Sequence, residues 1–166
     1  MKTERALLAE RLLTQGCRLA EEGRYNEARR LFLRAARLGD TAAMVNLGNL
    51  YDEGLGGPRS LQRALSWYRR AAAKRNSSGA ANVGAIYRRE GAFRTALAWF
   101  KKAVRLGDLD DALLDVAGLY AGPLRNPRAA RVAASRLVLT RDTVAPHSRA
   151  EARKLLALLR TKRRAR

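Results

Sequence analysis

Small and aromatic residues recur along this chain at helical spacing and, over longer stretches, at a second and slower period. Gly16, Gly48, Gly84 and Ala117 stand 32, 36 and 33 residues apart, and Tyr51, Tyr87 and Tyr120 follow the last three at a distance of three. Leu19 takes that place in the first unit. A second small residue comes later in each unit: Ala28, Ala64, Ala96 and Ala129 lie 12, 16, 12 and 12 positions on, so the second unit carries four extra residues. Four positions beyond these alanines stand Phe32, Tyr68, Phe100 and, breaking the pattern, Ala133, while Ala35, Ala71 and Ala103 come three further on. Steps of three and four place side chains on one face of a helix. A repeat of this longer period signals an array of supersecondary units.

Each unit therefore reads as a pair of antiparallel helices. Small residues facing one another let the two backbones approach, and the aromatic ring fills the space beside them. Gly23, the stretch from Gly54 to Pro58, Gly91 and the pair Gly122-Pro123 mark turns inside units, whereas Gly39, Gly79 and Gly107 lie near turns between them. The expected fold is all-α: an α–α superhelix, or solenoid, of about four helix-turn-helix repeats near residues 9–40, 41–76, 77–109 and 110–140. Beyond the repeats, Pro146, Ser148 and Glu151 suggest a helix start with a capping box, and Leu155, Leu156, Leu158 and Leu159 give a C-terminal capping helix over about 147–160. Residues 1–160 are thus expected to form a single solenoid, followed by a basic tail, 161–166, expected to be disordered.

The second unit carries the densest pattern: Ala43, Leu47-Gly48, Tyr51, Gly54 and Gly56, then Arg63-Ala64, Trp67 and Arg70-Ala71-Ala72. These residues resemble the Sel1-like repeat, a relative of the tetratricopeptide repeat. Units one and three lack the insertion and look closer to plain tetratricopeptide repeats, although Trp99 and Lys102-Ala103 keep the Sel1-type ending. The resemblance spans about residues 9–140 and implies a protein-binding scaffold with first helices on the inner, concave side and second helices on the outer side.

Composition agrees with helices and adds a charge problem. At 166 residues and 18.4 kDa the chain excludes a large multidomain enzyme, and 31 alanines against 10 aromatic residues favour close-packed helices over a sheet. Lys and Arg outnumber Asp and Glu by 34 to 15, a formal charge of +19. The excess is not spread evenly. First helices (9–22, 41–53, 78–90, 110–121) hold four basic and nine acidic residues; second helices (26–38, 60–75, 94–106, 127–139) hold sixteen basic residues and Glu27 alone. Two readings of that face stand side by side: a solvated Arg-rich helix surface, or a field that gathers anions or steers an acidic protein.

The candidate partner-binding residues follow from these two faces. On the groove side the tetratricopeptide resemblance implies Asn49, Asp52, Glu53, Asn82, Arg88 and Arg89. Asn49 and Asn82 either hold a peptide backbone, as an amide that donates and accepts, or bond to a neighbouring helix. The basic face offers Arg29, Arg30, Arg34, Arg63, Arg70, Lys74, Lys101, Lys102, Arg105 and Arg131. The partner expected is a protein or peptide, acidic if it uses that face. The alternative is a nucleic acid or other polyanion held by the second-helix arginines and the basic tail. Trp67 and Trp99 are expected as inter-helix core rather than as platforms for bases.

Catalysis finds no constellation. His147 is the sole histidine, Cys17 the sole cysteine, and no nucleophile motif or phosphate-binding glycine loop is present, so a non-enzyme without cofactor or metal is expected. Asp108, Asp110, Asp111 and Asp115 read as acids favoured by a helix N-terminus. Glu10 and Arg11 interrupt the N-terminal apolar stretch before signal-peptide length, and no run reaches membrane-span length, so a cytoplasmic protein is expected.

Overall fold

The computed structural model describes residues 3–108, 110–139 and 145–164, and among these the regular structure is helical throughout. Its helices are α1 (Glu4–Glu21), α2 (Tyr25–Arg37), α3 (Thr41–Glu53), α4 (Leu61–Ala73), α5 (Ser77–Arg89), α6 (Phe93–Arg105), α7 (Asp111–Ala121), α8 (Pro127–Leu139) and α9 (Pro146–Arg164). The helical-hairpin repeat is therefore present, and the chain divides into two compact units, Met1–Val83 and Gly84–Arg166.

In the first unit α1 pairs with α2 and α3 with α4. The pairing rests on a glycine facing an aromatic ring. A β-carbon on Gly16 would lie 2.6 Å from Phe32 Cε1, and one on Gly48 would overlap the ring of Tyr68. Phe32 and Tyr68 are buried with Ala28, Ala35, Ala64 and Ala71, the alanines of the sequence pattern. Gly79 lies near a turn between units, as expected, in the first turn of α5, where it allows close approach to α4: a β-carbon there would come within 2.7 Å of Ala71 Cβ. Side chains start several of these helices. Thr3, Asp40 and Ser60 accept hydrogen bonds from the backbone N–H groups of Ala6, Ala43 and Arg63, and Asn76 does so from Gly79.

Between α1 and α2 the chain reverses through Gly23, at φ +75°, with the Arg24 N–H donating to the Leu19 carbonyl at 2.8 Å. The α3–α4 connection holds the four extra residues and is built differently. It folds back on the preceding hairpin, where a β-carbon on Gly56 would lie 2.6 Å from the Tyr25 carbonyl carbon and one on Gly57 would strike Arg29. Its far end is tied down by the Ser60 N–H donating to the Tyr51 carbonyl at 2.8 Å and by Arg59 Nε donating to the Asp52 carbonyl at 2.6 Å.

In the second unit α6 packs as α2 and α4 do: a β-carbon on Gly84 would lie 2.9 Å from Phe100 Cδ1. The fourth hairpin departs from the sequence reading by one residue. Asn126 caps α8 through its bond from the Ala129 N–H, and the alanine four residues after the cap, as in α2, α4 and α6, is Ala130. Ala130, Ala134 and Leu137 are fully buried, whereas Ala129 is half-exposed. The aromatic position thus falls on Ala134, and Ala133 lies beside it. Helix α9 begins at Pro146, which puts Ser148 inside the helix rather than at its cap. Ser148 is buried, with its hydroxyl 3.1 Å from His147 Nε2. The backbone of α9 continues to Arg164, and residues 165–166 of the expected tail lie outside the described residues.

Candidate functional site

Residues assigned to the groove side are largely engaged with their neighbours. Tyr68 Oη donates to Asn49 Oδ1 at 2.6 Å, and Asn82 Nδ2 donates to the same oxygen at 3.3 Å. Both asparagines are half-buried, so within the first unit they join α3, α4 and α5 into one hydrogen-bonded set. Asp52 is paired with Arg59 at 3.5 Å, and Glu53 at the end of α3 is exposed. In the second unit Arg88 is ion-paired with Asp115 and its guanidinium lies 5.6 Å from the centre of the Phe100 ring. Arg89 beside it is exposed. Burial pushes the Asp115 carboxyl above its ordinary value, and Arg88 opposes that shift. Asp115 is more than an acid near a helix N-terminus: its partner is 27 residues away and is brought to it by the fold.

Second-helix cations fall into two groups. Some cover aromatic rings. Arg70 lies over Trp67 at 4.6 Å and Lys102 over Trp99 at 4.8 Å, each three residues along its own helix. Arg29 and Arg63 approach the Tyr51 ring, each at 5.5 Å, and Lys101 stands over Tyr120 at 5.3 Å. Trp67 packs its other side against the core of the first unit, so the cation completes a partly buried ring. Others extend into solvent: Arg30 and Arg34 on α2, Lys74 after α4 and Arg105 on α6 are exposed. Arg131 differs from its group. It is half-buried in α8, with an Nε that has no hydrogen-bond partner.

Acids on these second helices are scarce. Glu27 is held by Arg24 through bonds of 2.8 and 2.7 Å, and that pairing pulls its carboxyl below the ordinary range. Among the described residues, no group of three or more His, Cys, Asp or Glu is placed to hold a metal ion. The acids around α7 have local tasks: Asp108 accepts from the Ala112 N–H, and Asp110 accepts from the Ala145 N–H at 2.8 Å. Ser148, His147 and Asp111 come together, yet serine and aspartate both approach Nε2, at 3.1 and 3.7 Å. A proton relay needs the two partners on different ring nitrogens. No described helix is long and apolar enough to cross a membrane.

These features agree with the comparisons. The Sel1 repeat family matches residues 24–40, 41–76 and 80–108. A Sel1 repeat protein from Oxalobacter formigenes is similar at 24% identity and a TM-score of 0.67, over 82% of this chain and 58% of that one. A protective antigen of uropathogenic Escherichia coli with an SLR fold is similar at 28% identity and a TM-score of 0.60, over 68% of this chain and 25% of that one. A tetratricopeptide repeat protein from Parabacteroides merdae matches the fold at 20% identity and a TM-score of 0.68, over 94% of this chain and 61% of that one. The chain thus spans between a quarter and about three fifths of the length of these structures. No protein of curated function matches it significantly.

The chain is a repeat protein of the Sel1-like and tetratricopeptide class. Folds of this class generally mediate protein–protein interaction and are typically non-catalytic scaffolds.

Proposed function

We propose that this chain is a non-enzymatic scaffold that holds an acidic protein or peptide on the cationic second helices of its units. The observation that carries the reading is their charge balance: α2, α4, α6 and α8 contain fourteen Lys and Arg and one acid, Glu27, which Arg24 already occupies. Exposed Arg30, Arg34, Lys74 and Arg105 would supply ionic contacts. Arg63, Arg70, Lys101 and Lys102, resting on aromatic rings, would offer positioned ones. Asn49, Asn82 and Arg88 are the weaker candidates because they already bond to Tyr68, to one another and to Asp115.

Fluorescence anisotropy with a labelled Glu-rich peptide, beside a single-stranded oligonucleotide of equal charge, tests this. The peptide should bind, lose affinity steeply as salt rises, and lose about tenfold or more with the exposed pair Arg30→Glu and Arg34→Glu. No binding of the peptide at low salt defeats the proposal. Tighter binding of the oligonucleotide at equal salt turns the assignment to a polyanion site.

A further inference from the structure

The second unit has a groove lined by the second helices of two successive hairpins and by the first helix between them. In the other hairpins the second helix presents Phe32, Tyr68 or Phe100 to a glycine of the first helix. Helix α8 has the fully buried Ala134 at that position, and its neighbour Ala133 lines the groove on the adjacent face. That groove, of about 560 Å³, runs between α6 and α8 over α7. Its floor is apolar: Val104 from α6, Leu113 and Val116 from α7, and Val132 from α8. Val132 is 68% exposed.

The rim carries one sign of charge on both walls. Lys101 and Arg105 stand one turn apart on α6; Arg128 and Arg136 stand about two turns apart on α8. All four are exposed, and the described lining contains no carboxylate. We infer that this groove receives an acidic amphipathic helix from another protein, its apolar stripe on the valines and leucine and its flanking carboxylates on the two rows of cations. Cations on both walls suit a segment with acids along both edges of its stripe better than a ligand with one anionic end. An i, i+3, i+4, i+7 stripe matches an apolar floor framed by two helices. The inference rests on the scaffold reading above and narrows it to one place and one partner shape.

The test uses the full chain and two labelled peptides of one composition, rich in Leu and Glu: one with the leucines at helical spacing, one scrambled. The ordered peptide should bind about tenfold or more tightly than the scrambled one, the scale of an anchored hot spot. Val132→Glu, at an exposed position that leaves folding alone, should remove that preference; Ala133→Phe, which puts a ring into the groove from its lining, should do the same. Equal binding of the two peptides overturns the groove while leaving the cationic scaffold reading intact. Failure of both to bind overturns both. Retention of the preference in Val132→Glu places the peptide elsewhere and overturns the inference. So does displacement of the ordered peptide by a long-chain fatty acid at a lower concentration than the unlabelled peptide requires, and so does self-association of the peptide-free chain that Val132→Glu abolishes.

Discussion

Gly16 and Phe32 share one space: the ring stands where a β-carbon of the glycine would be, 2.6 Å from it. The same relation joins Gly84 to Phe100 at 2.9 Å and Gly48 to Tyr68. Replacing any of these glycines by alanine forces the ring or the helix to move, a change that costs about 1–3 kcal/mol in a packed core. Gly48→Ala should cost more than Gly84→Ala, because the Tyr68 hydroxyl is tied to Asn49 and the ring has less freedom to shift. Urea denaturation of the two variants gives the order. Phe32→Leu should recover part of the loss in Gly16→Ala, and a double-mutant cycle measures the coupling.

Much of the fold was legible because these contacts depend on residue size. Glycine opposite an aromatic ring is visible in the chain as Gly48 and Tyr68, separated by a distance that depends on the turn between their helices. The fourth hairpin was harder for a physical reason: with Ala129 and Ala130 adjacent and no aromatic to mark the register, both alignments satisfy a small-residue rule. Ser148 misled likewise, since serine is common at a helix cap but is here buried within the first turn. The two faces were readable as charge counts. That Asn49 is shared by Tyr68 and Asn82, or that Arg88 meets Asp115, depends on which rotamers the repeats bring together, and composition carries no trace of it.

Asn49 should act first on stability. Its side-chain oxygen accepts from Tyr68 and Asn82, so Asn49→Ala removes an acceptor from two half-buried or buried donors and is expected to cost about 1–3 kcal/mol. Tyr68→Phe should cost less, since it deletes the donor along with the need for an acceptor. Denaturation of both singles and the double variant tests this: strictly additive losses would mean the bond contributes nothing in solution.

Asp115 sets a pH dependence with a definite sign. Burial raises its folded-state pKa above the unfolded value, so its contribution to stability is full below the unfolded pKa and is lost as pH rises through the folded one. Relative to Asp115→Asn, the wild-type chain should therefore lose stability as pH rises above the ordinary aspartate range, and level off once Asp115 is ionised in the folded state as well. Arg88→Met should deepen that loss, because the guanidinium that offsets burial is gone. Thermal melts of the three proteins across this range give the comparison. A wild-type curve that gains on Asp115→Asn as pH rises would reverse the sign.

Cys17 should be a slow thiol. Burial, together with the charge of Glu21, raises its pKa above the ordinary thiol value, and the bond from Asn46 Nδ2 at 3.5 Å works the other way. Alkylation by iodoacetamide near neutral pH should be slower than that of a free cysteine peptide, since the thiolate is the reacting form. Asn46→Ala should move the pH profile of the rate further up.

The connection between α3 and α4 gives the second hairpin a hold on the first. Gly56 lies against the backbone of Tyr25, and Gly57 beside Arg29, so the longest turn of the first unit touches the beginning of α2. In a linear array, cooperativity depends on how strongly each member is coupled to the next. An insertion that reaches across the seam raises that coupling locally, so α1–α2 and α3–α4 should melt as one step where a shorter turn would let them part.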